Sequence, residues 1–338
     1  MQKRVSLKDI AAKVGVSTAL VSYVLNGQEK EKRVGAEVVK RIRKAAEELN
    51  YQPNQIARSL RMQSTKTIGL IVADIANPFF AQLARIIENE ATKYGYTVIF
   101  GSSDEDELKS EALINTLLNR QVDGLIIVPA GGTSSQIETL LKKRIPVVLV
   151  DRYFPEISVS HVVLDNYKAT YDATCHLINT GYKNIAMVAY KSNLTHMKDR
   201  IMGYKEAMKS NNLLENVHVT EIRHNHYETD FNITFSRLIK NNKEIDALLF
   251  ATSVLSISGL FQIQNQCLKI PEDVAFIGFD GGASFDLYQP PLSFIQQPID
   301  EMGKESIRIL MDVINNSGKI SQVKLQSKMI IRDIKECN

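Results

Sequence analysis

The sequence predicts an α/β protein that carries an N-terminal all-α headpiece. Three observations support this. Residues 1–50 contain no strand-like run but three amphipathic helical patterns. From residue 67 onward, short Val- and Ile-rich runs alternate with helical stretches, the pattern of parallel sheets covered on both faces. Across 338 residues the alternation repeats too often for one modest sheet, so two doubly wound parallel-sheet lobes are expected.

In the headpiece, Leu7, Ile10, Ala11 and Val14 share one helical face that stops at Gly15. Ser17 is placed to cap a second helix, whose apolar positions Leu20, Val21, Val24 and Leu25 end at Asn26-Gly27. A third pattern runs from about 36 to 49 through Val38, Ile42, Ala45, Ala46 and Leu49. Pro53 then punctuates the chain before NQIARSLR (54–61), and MQSTKT (62–67) reads as a polar connector. Helix, glycine-containing turn and helix in about twenty residues is a helix-turn-helix, whose second helix presents its N-terminal residues to base edges in a major groove.

In the rest of the chain, strands are expected at TIGLIVA (67–73), YTVIFGS (96–102), DGLIIVPA (123–130) and PVVLVD (146–151). A second set follows at NIAMVAY (184–190), ALLFAT (247–252) and VAFIGFD (274–280). Helical stretches lie between them at 80–94, 107–119, 135–143, 167–180, 198–210, 229–240 and 300–315. Ligands of such sheets sit beyond the carboxyl ends of the strands. Residues 247–268 hold no charge, but eight of the 22 are Ser, Thr, Asn or Gln, so they read as a buried strand, turn and helix rather than a membrane span.

Charge is unevenly spread. Residues 1–62 carry 13 Lys and Arg against 6 Asp and Glu, whereas the remainder carries 28 against 32. A basic head on a mildly acidic body points to the head as the part that meets a polyanion. Cys175, Cys267 and Cys337 are far apart and form no disulfide framework or CxxC pair, as expected in a reducing cytoplasm. Lys8, Asp9 and Lys13 interrupt any apolar signal-peptide core. Chemistry-bearing motifs are absent: AGGTSS (130–135) lacks the P-loop lysine, and no GxGxxG, GxSxG or HExxH occurs. HNH (224–226) offers two histidines without a third ligand, too few for a metal site. No enzyme activity, cofactor or metal is expected.

LKDIAAKVGVS, VSYVLNG, AAEELNYQPNQIARSLR and TIGLIVADIANPFFAQL occur in an order that resembles the lactose-repressor (LacI/GalR) family of bacterial transcription regulators. DGLIIVPA, PVVLVDR, VVLDN, GFDG and LSFIQQP continue the resemblance over essentially the whole chain. It implies a helix-turn-helix headpiece (1–53), a hinge helix and linker (54–66) and an effector-binding and dimerisation core (67–338) of periplasmic-binding-protein type. Within that core, one lobe is expected at about 67–165 plus 298–327 and the other at about 166–297 plus 328–338. The implied activity is ligand-responsive repression from a pseudo-palindromic operator, bound as a homodimer in the cytoplasm. An activator or co-repressor-dependent regulator is the alternative, and a solute-binding protein fits residues 1–62 poorly.

The resemblance also implies roles for particular residues. Thr18, Ala19 and Tyr23 fall on base-reading positions, while Ser17, Ser22 and Asn26 are placed for phosphate contacts. In the hinge, Asn54, Ala57, Arg58 and Leu60 are expected at the DNA, with Leu60 wedged between base steps of the minor groove. Phe79, Phe80, Asp151, Arg152, Arg200, Tyr227, Ser253 and Asp280 are the expected effector residues. The aromatic rings would stack on the ligand, the arginines would offer a fork to hydroxyls or a carboxylate, and Asp280 would accept from vicinal hydroxyls. Ser253 stands where the family often has Asn or Asp. Leu194 and His196 replace an arginine and a threonine of purine-responsive members, which argues against a purine; family frequency and the Phe, Tyr, Arg and Asp side chains favour a sugar or sugar derivative.

Overall fold

A computed structural model describes residues 5–51, 64–224, 227–242, 244–315 and 319–332. The chain divides into two compact units, Met1–Thr65 and Lys66–Asn338.

The first unit packs α1 (Leu7–Val14), α2 (Thr18–Leu25) and α3 (Ala36–Glu48) around a small apolar centre. Ile10, Val21 and Ile42 are fully buried there, one from each helix. On α3 the buried position is Val39, whereas the expected Val38 is only half-buried. The turn between α1 and α2 depends on Gly15, whose φ of 76° is left-handed and strained for any residue with a Cβ. Gly15 and Val16 both return their N–H groups to the Ala11 carbonyl, which closes α1. Arg41 on α3 donates to the Val14 carbonyl at 2.6 Å and ties the third helix to the same terminus.

The second unit contains two six-stranded sheets of the same topology. The first lobe comprises β1 (Thr67–Val72), α4 (Pro78–Lys93), β2 (Thr97–Ser102), α5 (Glu107–Asn119), β3 (Gly124–Ile127), α6 (Ser134–Lys142), β4 (Val147–Val150) and β5 (Ser160–Leu164). The second comprises α7 (Asn166–Asn179), β6 (Ile185–Tyr190), α8 (Thr195–Ser210), β7 (His218–Ile222), α9 (Tyr227–Asn241), β8 (Ala247–Phe250), α10 (Ser253–Asn265), β9 (Ala275–Phe279), α11 (Ala283–Leu287) and β10 (Ser293–Gln296). The chain then returns to the first lobe through α12 (Ile299–Ile314) and β11 (Gln322–Leu325), and β12 (Lys328–Ile330) completes the second sheet.

Strand orders are β11-β5-β4-β3-β1-β2 and β12-β10-β9-β8-β6-β7. All pairs are parallel except β10 with β12, which are antiparallel. Strands buried on both faces explain the unbroken Val/Ile runs: Ile68, Leu70 and Val72 pack toward α4 and α12, whereas Ile71, Leu125 and Ile127 pack toward α5 and α6. The second lobe is filled instead by a run of rings, Phe231, Phe235, Phe250, Phe276, Phe285 and Phe294, with successive centroids 5.2 to 6.3 Å apart. Residues 247–268 form β8 and α10, and no described helix is long and apolar enough to cross a membrane.

The shared topology places two aspartates in equivalent positions. Asp151 follows β4 and Asp280 follows β9, and each adopts a left-handed φ, 68° and 52°. Each donates its N–H to the next strand, Asp151 to Val162 and Asp280 to Ile295, at 2.9 and 2.8 Å. The sharp turn this makes aims both carboxylates out of the sheet ends, toward the space between the lobes.

Candidate nucleic-acid interface and ligand cleft

In the first unit, Ser17 caps α2 by accepting the Leu20 N–H at 3.2 Å. Ser17, Thr18 and Ala19 are exposed on the amino-terminal turn of α2, and the opposite face carries the buried Val21 and Val24. That division leaves a polar, uncharged turn facing solvent. Tyr23 is half-buried, with the Lys32 ammonium 5.8 Å from its ring centroid. Asn26 and Ser22 are engaged with each other: the Asn26 amide donates to the Ser22 carbonyl at 2.6 Å and to its hydroxyl at 3.1 Å. A phosphate contact from either therefore has to share or replace that pairing. Asn54, Ala57, Arg58 and Leu60 lie outside the described residues.

Between the lobes lies a cavity of about 500 Å³. Pro78, Phe79 and Gln82 of α4 and Ile299 of α12 form its first-lobe wall. The second lobe supplies Phe231 and Asn232 of α9, one side of α10 from Ser253 to Gln262, and Asp280, Gly281, Gly282, Ser284 and Phe285. Asn77 holds the start of α4 by accepting the Phe79 N–H at 3.0 Å, which fixes Phe79 at the cavity edge. Of the expected effector residues, Phe79, Ser253 and Asp280 line this cavity. Ser253 is the first residue of α10, next to Thr252, whose hydroxyl caps the helix.

The other expected residues form a buried polar cluster beside it, and here the sequence reading needs correction. Arg152 does not present an open fork. Its two terminal nitrogens grip the Glu105 carboxylate at 2.7 and 2.6 Å, and Nη1 also reaches the Pro129 carbonyl at 3.3 Å. Phe80 is not a stacking platform at the cavity wall; it is buried against Phe79 edge-to-face at 5.0 Å, with the Arg152 guanidinium 5.8 Å from its centroid. Burial would raise the Glu105 carboxyl, but the charge and hydrogen bonds of Arg152 outweigh it and hold the pKa below the usual range. Asp151 is pushed up, because its burial outweighs the nearby Arg152 and Arg200 charges.

Arg200 is also committed. Nε donates to the Asn166 side chain at 2.7 Å and Nη1 to the Ala251 carbonyl, so α8 is stitched to α7 and to the end of β8. Burial lowers its pKa to about 10 against the opposing pull of Asp151 and Asp280. Asp280 accepts from the Gln297 side chain at 2.6 Å, and burial raises its carboxyl to about 6. His196, at the start of α8, is held well below the usual imidazole value by burial and by the Arg152 and Arg200 charges, so its ring is neutral. Three buried atoms of this cluster have no hydrogen-bond partner among the described residues: Arg152 Nε, His196 Nδ1 and Gln297 Oε1. Asp151 Oδ2 lies 3.4 Å from Arg152 Nε, an ion-pair contact outside hydrogen-bond geometry.

Glu105, Asn166, His196 and Gln297 thus join the cluster without having been selected from sequence as site residues. Only His196 stood out, as a departure from a family pattern. Tyr190, at the end of β6, adds a ring 4.9 Å from that of His224. The side chain of Tyr227 lies outside the described residues, as do Asn225 and His226 of the HNH motif.

A helix-turn-helix unit with an exposed recognition turn, joined to a two-lobed core with a polar cleft, defines a ligand-responsive DNA-binding transcription regulator. Comparison with known proteins agrees. Residues 6–54 match "Bacterial regulatory proteins, lacI family" and residues 65–333 match "Periplasmic binding proteins and sugar binding domain of LacI family". The chain belongs to the lacI family of bacterial regulatory proteins. It is 33% identical to the catabolite control protein A of Priestia megaterium over 314 residues, covering 92% of this chain and 93% of that one. Among solved structures, a transcriptional regulator CelR–cellobiose complex is similar at 25% identity and TM-score 0.71, covering 97% and 99% of the two chains. The lac repressor dimer bound to operator and the anti-inducer ONPF shares the fold, with TM-score 0.85 at 21% identity over 98% of each chain.

Proposed function

We propose that this chain is a repressor of a sugar or metabolite utilisation operon that acts in the cytoplasm as a homodimer on a pseudo-palindromic operator. The covalent junction of an exposed α2 turn with a two-lobed polar cleft supports this reading. In it, residues 1–53 are the headpiece, 54–66 the hinge and 67–338 the core. Thr18, Ala19 and Tyr23 read bases, Ser17, Ser22 and Asn26 meet phosphates, and Asn54, Ala57, Arg58 and Leu60 serve the minor groove. The dimer operator complex of the lac repressor supports the assembly. So does the exposed Leu287 on α11, a large apolar side chain that a second copy would cover.

The effector is a neutral, hydroxyl-rich molecule of the sugar class. Both arginines are already spent on protein groups, and Asp151, Asp280 and Glu105 surround them, so a phosphate or carboxylate would enter against uncompensated negative charge. A hydroxyl both donates and accepts, which suits Gln297 Oε1, His196 Nδ1 and the Asp280 carboxylate together. Phe79 supplies an apolar ring face and Ser253 a hydroxyl at the cavity wall, while Arg152 and Arg200 hold the polar cluster behind it in place. The cellobiose bound by CelR is an effector of this kind.

Fluorescence anisotropy with duplexes selected by the protein tests the DNA function. Binding should depend on sequence and fall steeply with salt, since phosphate neutralisation releases counterions. A response flat to both overturns the reading. A thermal-shift screen of neutral against phosphorylated sugars tests the effector class, because a ligand of the folded state raises its melting temperature. Stabilisation by phosphorylated sugars alone would refute a neutral effector.

A further inference from the structure

The helix-to-strand turns of the first lobe form a basic face that its partner lobe lacks. Lys66 leads into β1, Lys93 ends α4 and Arg120 caps α5. Lys142, Lys143 and Arg144 close α6, and Lys319 precedes β11. All seven are exposed at the amino ends of the parallel strands. Counted from the last helical residue to the strand, these turns hold six cations and one acid, Asp123, and Lys66 adds a seventh cation ahead of β1. Counted along the sequence in the same way, the corresponding stretches of the second lobe hold three cations, Lys183, Lys243 and Lys269, against five acids, Glu215, Glu244, Asp246, Glu272 and Asp273, with Lys209 and Lys240 one residue before their stretches.

The contrast separates two explanations. Helix carboxyl termini carry partial negative charge and attract Lys or Arg. Both lobes present such termini and place lysines there, Lys93 and Lys142 in the first lobe and Lys209 and Lys240 in the second. Helix capping therefore accounts for Lys93 and Lys142 but not for Lys319, five residues past the end of α12, nor for the excess of cations over acids in the first lobe's turns. Arg120, Lys143, Arg144 and Lys319 have no carboxylate within 4.0 Å among the described residues, so their charge is not spent within the core. This is also the end at which the chain arriving from the helix-turn-helix unit enters the core, through Lys66 and Thr67.

We propose that this face of the first lobe is a second surface for duplex DNA, which gathers phosphate charge and adds affinity without reading sequence. The proposal rests on the regulator function above. Lysine and arginine on flexible stems reach phosphates directly or through water, and act over a Debye length of about 8 to 10 Å at moderate salt.

The test compares three full-length proteins on one duplex, selected by the wild type from random sequences. One variant carries Arg120→Gln, Lys143→Gln, Arg144→Gln and Lys319→Gln. A control matched in charge carries Lys183→Gln, Lys209→Gln, Lys240→Gln and Lys269→Gln on the second lobe. Anisotropy is read from about 50 to about 200 mM salt. In the first variant, the slope of log affinity against log salt should become shallower by about two, and low-salt affinity should fall about tenfold or more. Its preferred sequence, melting temperature and effector response should stay as in wild type, and the control should match wild type throughout. An unchanged slope overturns the proposal and leaves the face to an acidic protein partner. Equal losses in both variants also overturn it, because net charge alone would then explain them. A wild-type chain indifferent to duplex DNA refutes the regulator function itself; wild-type binding with an unaltered variant slope refutes only this proposal.

Discussion

The guanidinium carbon of Arg200 lies 3.6 Å from the ring centroid of Phe279, a flat stack in which the cation covers the end of β9 while its edge donates to Asn166 and Ala251. One side chain thereby joins three elements of the second lobe and sets the floor beside Asp280.

Arg200→Lys is therefore not a conservative change. A lysine keeps the charge but loses the planar stack and at least one of the two charge-assisted hydrogen bonds, each of which contributes about 1.5 to 3 kcal/mol. Equilibrium urea unfolding should show a loss of about 2 kcal/mol. Effector affinity should fall as well, whereas binding of the effector-free protein to DNA should persist. Wild-type stability in Arg200→Lys would show that the stack and its bonds contribute nothing.

Asp280 should make effector binding depend on pH. Its folded pKa is raised by burial from 3.8 to about 6, so the fold favours the protonated acid and loses stability as pH rises through about 6. A ligand that donates hydroxyls to the carboxylate favours the ionised form. Affinity should therefore fall by up to tenfold per pH unit below about 6 and level off above it. His196 is held well below the usual imidazole value and Glu105 below its usual carboxylate value, so neither is the source of a transition near 6. Asp151 is also raised, and Asp280→Asn separates the two. Calorimetric titration should give that variant weaker binding that varies little with pH. A pH dependence unchanged by the substitution would move the effect to Asp151.

Gly203 sits inside α8 where the helix crosses α7. A Cβ there would lie 2.1 Å from the Tyr167 carbonyl oxygen and 2.4 Å from Thr170 Oγ1. Thr170 in turn donates to the Arg200 carbonyl at 2.8 Å, so the close crossing also holds the turn of α8 that carries Arg200. Because backbone must move, Gly203→Ala should destabilise by about 2 to 3 kcal/mol despite the better helix propensity of alanine. Urea unfolding should show this loss, and effector affinity should fall with it. A neutral or stabilising effect would mean that the helices separate freely.

Much of this architecture is legible in the chain because it follows from local patterns. Gly15 and Ser17 mark the helix-turn-helix through their conformational and capping preferences, and runs such as PVVLVD signal strands buried on both faces. Five strands escape that reading. β7 is HVTEI with mostly half-exposed residues, and β11 and β12 hold only exposed and half-buried positions at the sheet margins. β5 and β10 are buried, but their SHVVL and SFIQ runs are short and mixed with polar residues. The site was less legible. Phe79 and Phe80 are neighbours of one type, and only the helix direction decides which meets the cavity. Arg152 reads as a free fork until folding brings Glu105, 47 residues earlier, against it. Asn166 and Arg200 are likewise joined only by the crossing of α7 and α8.

The base-reading turn of α2 carries no charge, so its preference rests on shape, methyl groups and Tyr23. Thr18 and Ala19 are exposed and offer methyl groups suited to thymine. Tyr23 is half-buried beside Lys32, and its single hydroxyl cannot make the paired contact by which arginine recognises guanine O6 and N7. Tyr23→Arg should therefore shift the selected operator toward guanine at one position in each half-site, with discrimination of about 1 to 3 kcal/mol against other bases. Affinity is a poor measure here, because the added charge strengthens binding to any duplex. Selection from randomised half-sites reads the preference itself, and an unaltered preferred sequence in the variant would remove Tyr23 from the recognition surface.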